Sequence, residues 1–212
     1  ATLEYFKGQS AKPSREVDLA EVKLVARQFP LCGMLTEADR YGSGHINDTI
    51  AVTFDQAGAP VRYIFQRIND LVFKDVPLLM NNIRQVSEHL AGKLAGGDSR
   101  SALTLVPTRD GKAFFRTPEG RYWRVYLFIE KAQTFDKLET VDQAFQAARA
   151  FGSFQAALAD LPVMLGETIP DFHDTRKRFE NLETAIARDR KQRATEVSRE
   201  IAFAQARKSE VG

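Results

Sequence analysis

Apolar and polar positions along the chain change period several times, and each change predicts an element. Between residues 14 and 29, Leu19, Val22, Val25 (or Ala26) and Phe29 return every three or four positions. That spacing predicts a helix, with Ser14 as N-cap and Pro30 and Gly33 as its stop. The period then drops to two. Ile50, Val52 and Phe54 alternate with Ala51 and Thr53, and Val61 to Ile68 reads as a second strand. Asp55-Gln56-Ala57-Gly58 between them is a turn signal, so the pair predicts an antiparallel hairpin.

Residues 76 to 94 return to helical spacing, with Pro77 in the first turn, an apolar stripe of Leu79, Ile83, Val86 and Leu90, and a break at Gly96-Gly97-Asp98. Short β-type runs follow at 103–106, 113–115 and 122–129, separated by turns at Arg109-Asp110-Gly111 and Pro118-Glu119-Gly120, which predicts a meander. After residue 138 the pattern is helical throughout. Thr140 and Gln143 form a capping box, Phe145, Ala148, Phe151 (or Gly152), Gln155 and Leu158 follow a helical repeat, and segments 176–187 and 190–209 are amphipathic. The fold class expected is α+β: a unit over 1–130 with an antiparallel sheet and one packed helix, then the first helices of a helical unit over 131–212.

Composition narrows the classes of partner. Thirty basic and 28 acidic residues leave a net charge of +2, which demands neither nucleic acid nor an anionic membrane. A single cysteine, Cys32, excludes an internal disulfide and a multi-cysteine zinc site, and fits a reducing compartment. Cys32 is expected to be a small buried apolar residue. No run is long and apolar enough for a membrane span, and the first residues lack a signal-peptide pattern, so a cytoplasmic location is expected. The chain opens on Ala1 and stops within a helical pattern, so a fragment of a longer protein is expected.

The most informative segment is Tyr41-Gly42-Ser43-Gly44-His45-Ile46-Asn47-Asp48-Thr49. Glycines allow close backbone approach and leave amides free to meet phosphate oxygens. The β-branched, alternating run that follows excludes the helix of a dinucleotide fold, and no Gly-Lys-Ser/Thr is present for a Walker loop. Two readings stay open: a glycine-rich phosphate loop between two strands, as in protein-kinase-like folds, or a plain hairpin turn without ligand. The first requires a basic residue on the next strand facing the phosphates; Arg67 and the neighbouring Gln66 lie there, with Arg67 either in the place of a kinase strand lysine or a solvated strand-end arginine. It also requires a helix, supplied by 76–94, and a hinge, supplied by Tyr126 to Glu130. Trp123 is read as core, whereas Phe128 is open to a ligand role.

These residues carry a resemblance. Gly42 to Thr49, Gln66-Arg67-Ile68-Asn69, Val72 to Pro77, Tyr122 to Tyr126 with Phe128-Ile129-Glu130, and Ile169-Pro170-Asp171-Phe172-His173 together resemble the bacterial N-acetylhexosamine 1-kinases of the aminoglycoside phosphotransferase and choline kinase superfamily. The resemblance spans about residues 40–180. It implies a protein-kinase-like N-lobe, ATP and Mg2+, and γ-phosphoryl transfer to the anomeric hydroxyl of an N-acetylhexosamine. It implies nucleotide contacts from Gly42, Ser43, Gly44, His45, Asn47, Asp48, Thr49, Gln66, Arg67 and Phe128. Some relatives carry a mucin-desulfatase label, but Cys32-Gly33-Met34-Leu35-Thr36 lacks the proline and arginine of a sulfatase site.

Two departures from the family pattern stand out. Met80 is followed by Asn81 and Asn82, where the family carries an acid for the strand cation, and Glu88 lies two turns later. The only His–Asp pair, His173-Asp174, has Asn181 as its next asparagine, which is not catalytic-loop spacing, so it is read as a helix start. The catalytic residues and metal ligands are accordingly expected beyond residue 212, and this chain alone is expected to be inactive. Other acceptors (choline, homoserine, an aminoglycoside) and a non-catalytic nucleotide-binding or interaction module remain alternatives. His45, His89 and His173 lack zinc spacing. The basic runs at 176–178 and 190–191 sit among acids and read as solvated helix faces, with RNA binding a minor alternative. Uncovered apolar helix faces predict self-association of the fragment.

Overall fold

The computed structural model describes residues 16–93, 103–132, 135 and 137–211. They divide into two compact units, one running to Thr168 and one beginning at Ile169.

The first helix, α1 (Leu19–Ala26), starts later than its apolar period suggests. Asp18 is its cap: the carboxylate accepts the Glu21 amide at 3.0 Å, and an aspartate there satisfies an amide that the first turn leaves bare. Ser14, the expected cap, lies outside the described residues. Val22, Val25 and Phe29 are fully buried, while Leu19 is exposed because the helix has barely begun there.

Gly33 then turns the chain into the sheet at φ +88°, where a Cβ would overlap the carbonyl oxygen of Asp55. Strand β1 (Met34–Arg40) follows. Its register against β2 shifts between Leu35 and Glu37, so that Leu35 and Ala38, three residues apart, both pack on the same core. This bulge breaks the period of two, and no alternation in the sequence announces the strand.

Strands β2 (Asp48–Gln56) and β3 (Ala59–Ile68) form the expected hairpin. Ala57 and Gly58 take positive φ of 55° and 87°, the two-residue turn whose twist matches the strands. Asp55 fixes it by accepting the Gly58 amide at 2.7 Å. Helix α2 (Val76–Lys93) begins where Asp75 accepts the Leu78 amide. Strands β4 (Leu105–Val106) and β5 (Phe115–Arg116) are short, and both pair with β6 (Tyr122–Leu127). The six strands make one antiparallel sheet with β1-β2-β3-β6-β4 as its path and β5 also on β6. The α+β class is therefore observed.

Strand alternation gives the sheet two unlike faces. Ile50, Val52, Phe54, Phe65, Trp123 and Val125 meet Val22, Val25 and Phe29 of α1 in the main core. Removing a buried ring such as Phe65 would cost about 3–5 kcal/mol. Ile68 and Tyr122 point the other way and pack with Val76, Leu79 and Met80 of α2. Trp123 is core, as expected, and its Nε1–H donates to buried Glu21 at 2.9 Å. Cys32 is exposed, not buried, because it lies between α1 and β1, where its carbonyl accepts from Gln56 Nε2.

Helix α3 (Val141–Leu158) opens with the expected Thr140/Gln143 capping box. It packs on α2 within the first unit. Lys93 and His89 of α2 both reach the Ala157 carbonyl and the Asp160 carboxylate. In the second unit, α4 (Thr175–Arg188) starts at Asp174, and α5 (Ser198–Gln205) is shorter than the 190–209 pattern. Asp189 takes φ 31° and accepts the Arg193 and Ala194 amides at 2.9 and 3.1 Å, which turns the chain before a new helix can start.

Candidate functional site

The glycine-rich loop, residues 41–47, joins β1 to β2. The Tyr41 amide bonds the Thr49 carbonyl at 3.0 Å, so both ends of the loop are tied. Gly42 takes φ 77°, which only glycine adopts without strain, and no atom lies within 4 Å of where a Gly44 Cβ would stand. Asn47 is structural in part: its Oδ1 accepts the Asn69 amide at 3.0 Å, while Asn69 Nδ2 donates to the Ile46 carbonyl at 3.1 Å. These bonds pin the loop to the segment leading into α2. Ser43 and His45 are exposed within the loop.

Below the loop, the α2 face of the sheet carries two cross-strand rows. Thr49, Gln66 and Arg124 are Cα partners across β2, β3 and β6. Gln66 Nε2 donates to Thr49 Oγ1 at 2.9 Å, and Gln66 Oε1 accepts from Arg124 Nε and Nη2 at 2.9 and 2.6 Å. The next row is apolar and consists of Ala51, Ile64 and Tyr126. Ala51 and Ile64 are only half-buried, in contrast to Val52 and Phe65 on the opposite face. Burial raises the Tyr126 phenol above its usual range and lowers the Arg124 guanidinium below its own.

Phe128 borders the apolar row. Its amide bonds the Arg62 carbonyl at 3.1 Å, its ring lies 3.9 Å under the Arg62 guanidinium, and it meets the Tyr41 ring edge-on at 5.2 Å. Tyr41 is anchored beside Thr49, and Phe128 beside Arg62, the partner of Thr53. Four residues of strand, about 13 Å, separate those anchor points. Ala51 and Ile64 lie in the row between those anchor points. Glu130 pairs with Arg62, which holds the Glu130 carboxyl below the usual range and the guanidinium above its own.

Sequence spacing put Gln66 and Arg67 together, but the strand sends them to opposite faces. Gln66 joins Thr49 and Arg124 on the α2 side. Arg67 joins Asp48 on the α1 side, as Cα partners with Arg67 Nε 2.8 Å from Asp48 Oδ2. A cavity of about 200 Å³ there is lined by Arg40, Arg67 and Arg121 and by Glu16, Asp18, Glu21 and Asp48, so its cations stand among at least as many carboxylates. Arg124, at the centre of the polar row, was not singled out from sequence, because an arginine inside an aromatic strand shows no periodic signal there.

Asn82 and Glu88 of α2 both have partners within the first unit. Asn82 Oδ1 accepts the Gly166 amide at 3.0 Å and its Nδ2 donates to the Gly166 carbonyl at 2.7 Å, and Glu88 sits 3.6 Å from Arg84. Among the described residues, no three histidine, cysteine or carboxylate side chains converge as metal ligands. Among the same residues, no helix is long and apolar enough to cross a membrane. No protein-family model matches the chain.

Proposed function

We propose that the chain binds ATP beneath the loop at 41–47 and serves an ATP-dependent phosphotransferase acting on a small alcohol, with an N-acetylhexosamine as the first acceptor to test. The carrying observation is the stacking of unlike rows under one glycine-rich loop. The apolar row of half-buried Ala51 and Ile64 beside buried Tyr126, bordered by Phe128, suits a purine ring. The polar row of Thr49, Gln66 and Arg124, beside glycine amides, suits phosphates. Held this way, a nucleotide would be positioned and its charge stabilised, which is most of what phosphoryl transfer asks of a protein.

The test is calorimetric titration of the 212-residue chain with a β,γ-imido ATP analogue, followed by 31P NMR of ATP mixed with N-acetylglucosamine or N-acetylgalactosamine and the whole protein, including any sequence that follows residue 212. Analogue binding supports the nucleotide reading, and a sugar 1-phosphate signal supports the acceptor. Choline, homoserine and an aminoglycoside are the comparison acceptors. No analogue binding at millimolar concentration would remove the nucleotide reading.

A second reading, a nucleotide-binding module without catalysis, shares one observation with the first. The Asp174 carboxylate accepts the Lys177 amide at 2.8 Å as the cap of α4, a helix-start role rather than that of a catalytic base. Under this reading the analogue binds and no acceptor is phosphorylated.

A further inference from the structure

Among the described residues Arg124 is the only buried cation, 9% exposed, and no carboxylate stands against it. Two of its nitrogens share the neutral Gln66 Oε1, and Nη1 lies 3.7 Å from Met80 Sδ on α2. The Tyr126 ring, 5.3 Å away, supplies its face and no net charge. A guanidinium stays protonated, and a buried charge without a counter-charge is costly. Of its five N–H groups, one on each of Nη1 and Nη2 has no acceptor among the described residues.

The opposite face sharpens the contrast. There Arg67 has Asp48, and Arg121 has Glu21. An anion entering that cavity would meet charges already balanced. On the α2 face it would meet an unbalanced one. The position also fits, because Arg124 crosses one strand spacing, about 4.8 Å, to reach Gln66, and Gln66 crosses the next to reach Thr49 at the root of the loop.

We propose that Arg124 is the phosphate-binding cation of this site, and that the counter-charge it lacks is a polyphosphate chain lying between Gln66 and the loop at 41–47. The assignment rests on the reading of that loop as a phosphate loop, and it moves the cation from β3, where spacing put Arg67, to β6. Gln66 then holds the guanidinium in place until the anion arrives, and its amide keeps Thr49 oriented toward the same ligand.

The experiment titrates inorganic tripolyphosphate and the β,γ-imido ATP analogue into wild type, Arg124→Met, Arg124→Lys and Arg84→Met at one fixed salt concentration. Wild type binds both. Arg124→Met loses about 30-fold in affinity for each, the size of one charge-assisted bond, while Arg124→Lys stays within about fivefold and Arg84→Met is unchanged. A folded Arg124→Met protein that binds both ligands like wild type overturns the Arg124 assignment alone. Wild type that binds neither ligand overturns both this assignment and the nucleotide reading. Arg124-dependent binding of tripolyphosphate with no gain from the adenosine moiety upholds Arg124 and removes the nucleotide. If Arg124→Met does not fold, the Arg124 Nε–H signal of 15N-labelled wild type decides: a shift on tripolyphosphate addition supports the assignment, and an unmoved signal overturns it.

Discussion

Asp48 and Arg67 are direct partners across β2 and β3, and their ion pair closes on the α1 face, away from the row that Gln66 forms with Thr49 and Arg124. Their side chains are 20% and 27% exposed, between the surface and the buried case. Asp48→Asn or Arg67→Met should therefore lower stability by about 1–2 kcal/mol in urea unfolding. Because the pair lies on the other face, affinity for the ATP analogue should change by less than about threefold, which is under 1 kcal/mol. A tenfold loss with unchanged stability would place Arg67 on the ligand after all.

Gly44→Val tests the loop directly. Nothing stands near the added Cβ, and Gly44 does not take a positive φ, so the fold should tolerate the valine with a stability change within about 0.5 kcal/mol. The branched side chain would nevertheless cover backbone amides. Affinity for the ATP analogue should fall at least about tenfold by calorimetry, a loss of 1.4 kcal/mol. Unchanged affinity would make the segment a plain hairpin turn.

Phe128→Ala separates base from phosphate. It removes the ring that Arg62 stacks on and Tyr41 meets. The ATP analogue should weaken about tenfold, in line with one lost stacking contact of 1–2 kcal/mol, while tripolyphosphate binding holds. Equal losses for both ligands would mean that Phe128 shapes the loop rather than a base site.

Tyr126 gives a pH signature. Burial raises its phenol above the ordinary value of 10.0, so the folded state keeps its proton longer than the unfolded chain. The stabilisation this gives is complete below pH 10 and is lost as pH rises through the folded value. Unfolding free energy should fall by up to about 1.4 kcal/mol per pH unit across that window from this group. Tyr126→Phe should remove that share of the slope, read from urea unfolding at pH 9 to 11. An identical slope in the variant would show that the phenol titrates freely.

How much was legible follows from how regular each element is. The β2–β3 hairpin, α2 and α3 announce themselves, because unbroken alternation, Pro77 and the Thr140/Gln143 box are local signals. β1 does not, because its bulge puts Leu35 and Ala38 on one face with odd spacing. α1 begins at Asp18, and α5 is cut short by the turn at Asp189, because a carboxylate that captures nearby amides overrides the apolar period. Of the candidate site, the loop was readable from Gly42 and Gly44, since glycine marks backbone freedom wherever it stands.

The sequence by itself determined the α+β class, the antiparallel hairpin and the identity of a glycine-rich turn as the place to look. These follow from period, turn chemistry and the properties of single residues. Only the tertiary structure decided which side chains share that place. Pairing β6 beside β3 brings Arg124, 58 residues from Gln66 in the chain, into contact with it. The two-residue pleat then sends the adjacent Arg67 to Asp48. Neighbours in sequence are separated by the strand, and distant residues are joined by register, because cross-strand pairing is set by the whole sheet and not by any local spacing.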